Sequence, residues 1–478
     1  MKKDNSPIAF RQSGCFYGIL LFGCTMARIH LSENFTYKKL LRFVAPSVIS
    51  LVFASLYGIV DGFFVSNFVG ELQFAGLNLI FPLIMILGAV GFMLGTGGNA
   101  VVSKALGEKD TEKANRIFSM LIYLSLGIGI VLGLVGILLA RPVAELFARA
   151  EKDLSPEQKA ELIDHCVLYS RILLAALPTF MLQNVFQGFF VTAEKARLGL
   201  LVTVAAGTGN IVFDALFIVG FDWGLAGAAI ATALNQVIGG VVPLIYFGRK
   251  NGSLLRLGKT RFDGKVLVKV CYNGMSEFFT NISISVVAIV YNTQLMKYIG
   301  IDGVTAYGVV QYIGFIFISV FLGYAMGSSP IVGYDYGAQD KEKLKNVLKK
   351  SLVLTGICGI VMAGISAVFA KPFCSIFVGK NDIVLPIAVK GMQFTAISFL
   401  LCGFNIFASA FFTSLSNGTV SLVISFSRMF VFQIGAVLLL PIFFGENGIW
   451  SAVIVAEAIT LLFTGIFLIT QRKKYGYL

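Results

Sequence analysis

Twelve apolar runs, each long enough to cross a bilayer, follow one another from Leu40 almost to the end of the chain with only short polar breaks between them. They lie at about 40–66, 75–103, 114–140, 166–192, 196–220, 224–247, 266–298, 304–334, 344–370, 387–413, 419–444 and 448–471. A helix needs about 20 apolar residues to span hydrocarbon, and none of the runs alternates as the strands of a membrane barrel do. The pattern therefore predicts an all-α polytopic membrane protein with twelve transmembrane helices. Composition agrees, since 57% of residues are hydrophobic and 13% are charged, against roughly 25% charged in an ordinary soluble chain.

A net charge of +13 would suggest a nucleic-acid partner in a soluble protein. Here the basic residues sit in short loops between spans, so their first meaning is topology and no nucleic-acid partner is expected. With a cytoplasmic N-terminus, Lys104 to Arg116, Arg249 to Lys269, Lys341 to Lys350 and Arg472 to Lys474 all collect on one side. The excess of Lys and Arg on cytoplasmic loops then places both termini in the cytoplasm. Trp223 and Trp450 fall at outer ends of spans, where they suit interfacial anchoring. The seven cysteines show no paired spacing, so neither a metal site nor a disulfide framework follows. Residues 1–39 are expected to form a cytoplasmic leader: Gly14 to Met26 is apolar but too short to span, and Met26 is an alternative start.

The chain also repeats itself. GTGGNAVVSKALGEKDTEKANRIF at 95–118 lines up with AMGSSPIVGYDYGAQDKEKLKNVL at 325–348, placing Gly97 on Gly327, Gly107 on Gly337, Asp110 on Asp340 and Lys113 on Lys343. WGLAGAAIATAL at 223–234 resembles NGIWSAVIVAEA at 447–458. Six spans per half is an even number, so both copies start on the same side. That is a parallel repeat about an axis along the membrane normal, a plan in which substrate binds between the halves. The expected division is an N-lobe at 40–247, a cytoplasmic linker at 248–265, a C-lobe at 266–471 and a cytoplasmic tail at 472–478.

Few ionisable groups lie inside the spans. Asp61 is on the first, Asp214 on the fifth, Glu277 near the start of the seventh, Arg428 on the eleventh and Glu457 on the twelfth. A charge at the centre of a bilayer costs at least about 2.5 kcal/mol, so such residues usually face a cavity or a partner and carry function. Asn210 and Asp214 stand one helical turn apart on one face. At about 1.5 Å per residue, Asp61 and Asp214 each lie about 9 Å from the outer ends of their spans and Thr232 about 12 Å. Alone, Asn210 and Thr232 would more often hydrogen-bond neighbouring helices. Together with two acids at matching depth they read as a cation-coupling site. Their oxygens suit Na⁺, and two nearby carboxylates can equally share H⁺. Glu277 and Glu457 form a candidate second acidic site. The alternatives are a helix-start or snorkelling role for Glu277 and an Arg428–Glu457 pair across neighbouring helices. Pro46 removes a backbone hydrogen bond within the first span and is a candidate hinge, with a static bend as the bland alternative.

An enzyme would need catalytic His or Cys constellations, and the two histidines, His30 and His165, fall on opposite faces of the membrane in this topology. No Walker motif is present. The chain resembles the multidrug and toxic compound extrusion (MATE) family over 40–474, in FVAPSVISLVFASLYGIVDGFFVSNFVG at 43–70, the paired loop motifs, and GNIVFDALFIVG followed by GLAGAAIAT. NGMSEFFTNISISVVAIVYN looks most like MepA-type exporters within the DinF-like bacterial branch. That branch implies an N-lobe cation site at Asp61, Asn210, Asp214 and Thr232, with Pro46 as the kinking proline. It also implies a monomeric multi-pass protein of the bacterial inner membrane that needs no cofactor. The implied activity is export of drugs and organic cations in exchange for H⁺ or Na⁺ by alternating access. A flippase or exporter for a lipid-linked or endogenous metabolite is the second transporter reading. In one respect the chain departs from the NorM-like branch, because its tenth span, TAISFLLCGFNIFASAFF, carries no acid.

Overall fold

A computed structural model of the chain describes residues 29–150, 155–379 and 382–477. Its helices in chain order are α1 (Tyr37–Phe68), α2 (Glu71–Gly107), α3 (Thr111–Ala150), α4 (Pro156–Ala175), α5 (Leu177–Thr192), α6 (Ala196–Asp214), α7 (Gly224–Gly248) and α8 (Gly264–Tyr298). They continue with α9 (Ile301–Gly337), α10 (Lys341–Val368), α11 (Ala370–Val378), α12 (Val384–Ser414), α13 (Gly418–Phe426), α14 (Ile434–Phe444), α15 (Glu446–Thr470) and α16 (Arg472–Tyr475). A π-helical turn, Ala215–Gly220, extends α6, and a second, Ser427–Gln433, joins α13 to α14. Nearly all of the leader, and the apolar stretch from Gly14 to Met26, lies outside the described residues.

Among the described residues, eleven helical stretches are long and apolar enough to cross a membrane, and α4 with α5, taken as one span bent by 53°, make a twelfth. The sequence predicts this fourth span as one run over 166–192. Instead it begins at Pro156 and breaks at Ala176. Pro178 has no N–H with which to continue the α4 ladder, so a new helix starts there.

Two apolar cores define two lobes. In the first, the rings of Phe118, Phe186, Phe189 and Phe247 pack edge-on and stacked with centroids 4.9–6.4 Å apart. In the second, Phe317 packs on Phe399, and Tyr307 lies between Tyr291 and Trp450. A third cluster, with Leu31, Phe35 and Val44 against Ile331, Leu344, Phe411 and Tyr475, closes the end of the molecule where the segment before α1 meets α16.

The repeated motif marks where the lobes touch. A Cβ on Gly97 of α2 would collide with the Val270 carbonyl oxygen of α8, and one on Gly274 with the Met93 carbonyl oxygen. Likewise Gly107 abuts the Tyr334 carbonyl oxygen of α9, and Gly337 that of Lys104. Only hydrogen fits at these crossings, so the backbones meet directly. Each motif then ends in the same turn. Lys109 and Gln339 adopt φ of 63° and 57°, and Asp110 and Asp340 accept from the N–H of Lys113 and Lys343 at 2.9 and 3.0 Å. Because the two turns adjoin, both copies of the repeat reach the same end of the molecule, as a parallel repeat requires.

Candidate ion site in the first lobe

Helices α1, α6 and α7 converge because glycines let them. A Cβ on Gly207 of α6 would collide with the Tyr57 ring of α1, and Gly227 lets α7 lie against the π-turn at Phe217. Nearer the end with the termini, Ser50 Oγ donates to Thr203 Oγ1 at 2.8 Å and ties α1 to α6. This packing brings Asp61, Asn210, Asp214 and Thr232 together. Thr232 Oγ1 donates to Asp61 Oδ1 at 3.4 Å, and Asp61 lies against both Asp214 and Asn210.

Asp214 is fully buried and Asn210 is 1% exposed. Among the described residues, neither carboxylate oxygen of Asp214 nor the amide nitrogen of Asn210 makes a hydrogen bond of acceptable geometry, although the Asp61 carboxyl lies close to both. Leaving a buried polar group unsatisfied costs about 1–3 kcal/mol, and more when it is charged. The cluster thus has open valence for a proton or a small cation. The π-turn starts at the residue after Asp214, a widening of the helix often found at functional positions.

Two further residues belong to this environment. Asn235, on the same face of α7 as Thr232, meets the Tyr57 hydroxyl, and Tyr57 stands one turn before Asp61 on α1. Their spacing carries the signal, i to i+4 and i to i+3 from residues already singled out. Neither type attracts notice alone in a helix. Tyr169 of α4 is within electrostatic reach of both carboxylates, and Tyr312 of α9, from the opposite lobe, of Asp61. Pro46 stays within a continuous α1 and sits where that helix crosses α9 at Gly323 and Gly327.

In the second lobe, Arg428 of the second π-turn pairs with an acid. Its Nε lies 3.4 Å from Glu457 Oε1 of α15, and Glu277 of α8 is within electrostatic reach of the same guanidinium. Asn405 of α12 donates to Glu457 Oε2 at 2.8 Å and accepts from Thr464 Oγ1 at 2.9 Å. Asn405 and Thr464 escape a search for charges, although both are buried.

The family model described as MatE matches residues 46–216 and 278–438. The multidrug export protein MepA of Staphylococcus saprophyticus is 24% identical over 442 residues, covering 91% of this chain and 93% of that protein. A crystal structure of MATE in complex with MaL6 superimposes with a TM-score of 0.86 at 21% identity, covering 95% of this chain and all of that one. An outward-facing conformation of a multidrug resistance MATE family transporter of the MOP superfamily gives 0.85 at 21% identity, with the same coverage.

Proposed function

Because this chain belongs to the MatE family, we propose that it is a secondary active antiporter of a bacterial plasma membrane, exporting drugs and organic cations in exchange for H⁺ or Na⁺. The single observation that carries the ion coupling is the Asp61–Asp214 pair, buried beside Asn210 and Thr232 with the Asp214 oxygens unpartnered. The relative's name, multidrug export protein, supports the substrate class. With the basic loops taken as cytoplasmic, the glycine crossings close the cytoplasmic side, which suits a state open to the outside.

Coupling then follows from charge. Two unneutralised carboxylates in a dry site repel each other, and entry of a proton or Na⁺ removes that penalty. The ion drives transport only if it favours one lobe arrangement over the other. Bending of α1 at Pro46 is the element through which the loaded site acts on the α1–α9 crossing. Uphill export of ethidium from proteoliposomes, under separate Na⁺ and pH gradients, tests this. Asp214→Asn is expected to reduce gradient-driven export to the level of empty liposomes while ethidium binding persists, and Pro46→Ala to slow it. Full uphill export by Asp214→Asn, with unchanged response to both gradients, would remove the cluster from the mechanism.

A further inference from the structure

The same three helices of each lobe, its first, fifth and sixth spans, carry the polar groups, but the two lobes answer their negative charge differently. Among the described residues of the N-lobe, Asp61 of α1 and Asp214 of α6 lie against Asn210 and Thr232, with the hydroxyls of Tyr57, Tyr169 and Tyr312 within electrostatic reach. None of these is a base. In the C-lobe, Glu457 of α15 pairs with Arg428, on the span equivalent to α6, and Glu277 of α8 lies within electrostatic reach of it.

We propose that Arg428 is the built-in counterpart, in the C-lobe, of the ion that the N-lobe takes from solution, so that each transport cycle exchanges ions in one lobe only. This rests on the ion-coupled reading of the N-lobe and adds to it where exchange does not occur.

Both carboxylate oxygens of Glu457 are already partnered within the protein. The residue is 5% exposed. One carboxylate oxygen pairs with the guanidinium and the other accepts from Asn405, whose own oxygen is held by Thr464. Among the described residues, Tyr291 of α8 and Cys402 of α12 are also within electrostatic reach of the pair, as is Glu277, a second acid that shares this one guanidinium. A guanidinium keeps its charge at every physiological pH, and here it answers Glu457 as an ion pair at 3.4 Å, its Nε making no hydrogen bond. A tethered cation therefore answers this acid without an ion from solution. Asp214, fully buried, has no such partner.

The test counts ions exchanged when the purified transporter binds tetraphenylphosphonium. Calorimetry in buffers of different ionisation enthalpy, with and without Na⁺, gives that count. Asp61→Asn with Asp214→Asn leaves the C-lobe native, and this double variant is expected to exchange neither H⁺ nor Na⁺. Arg428→Gln is expected to exchange more than the wild type, and adding Glu457→Gln to it should remove the excess. Arg428→Lys should behave as wild type. Exchange that persists in the Asp61/Asp214 double variant and disappears on adding Glu457→Gln overturns the proposal. Exchange that persists even then overturns it together with the N-lobe reading. Should Arg428→Gln fail to fold, the double variant still decides, because its C-lobe is untouched.

Discussion

Asp214 and Glu457 show how two buried carboxyl groups of one chain can meet different surroundings. Asp214 stands on the fifth span of its lobe and Glu457 on the sixth of the other, yet Glu457 has an arginine and an amide on its oxygens while Asp214 has the Asp61 carboxyl beside it and no basic partner. What separates them is the neighbour, not the acid. Thr232 offers a graded probe, since it donates a single weak bond to Asp61 at 3.4 Å. Thr232→Val keeps the shape and removes the hydroxyl. A lost hydrogen bond is worth about 0.5–1.5 kcal/mol, so the half-saturating Na⁺ or H⁺ concentration for export should rise by up to roughly tenfold, with coupling retained. Complete loss of coupling in this variant, measured from initial export rates over a range of Na⁺ and pH, would mean that Thr232 does more than ligate. The four polar residues of this cluster are legible in the sequence because polar groups are conspicuous in apolar runs. Tyr57, Asn235 and Asn405 are not, because aromatic and amide residues sit in membrane helices for many reasons.

Helices show the same division. The twelve runs are visible because hydrocarbon thickness sets a minimum length, but the break at Ala176 and the two π-turns are not. Pro178 is visible as a proline, yet whether a proline bends or divides a span depends on what packs beside it. The repeat glycines gain their meaning at this scale. Gly97 and Gly274 each let α2 and α8 meet backbone to backbone. Gly97→Val is expected to hold the lobes apart at this crossing and to abolish export while the variant still inserts and folds. The check is a spin-label distance between cysteines at Lys109 and Glu342, which should lengthen relative to the wild-type background. An unchanged distance with normal export would show that the crossing yields without consequence.

Over the whole molecule, the lobes are tied as well as apposed. The segment before α1 runs between them: Glu194 of the α5–α6 turn pairs with His30 at 2.9 Å and accepts from the Leu31 N–H at 2.8 Å. On the other lobe, Lys343 and Lys350 of α10 donate to the carbonyls of Ser32 and Phe35. This strap shares one end of the molecule with both repeat turns. A parallel repeat with cytoplasmic termini requires cysteines introduced at Lys109 and Lys343 to react from the same, cytoplasmic, side in intact cells and inverted vesicles. Labelling from opposite sides would overturn the topology.

By itself the sequence determined the number of spans and the twofold repeat. Each follows from local length, hydropathy and similarity, which a bilayer converts directly into structure. Tertiary structure decided which acids stand together, which of them already has its counter-charge, and why the repeated glycines are glycine. Those outcomes depend on helix rotation and crossing, which arise from side-chain packing between segments hundreds of residues apart and leave no periodic trace along the chain.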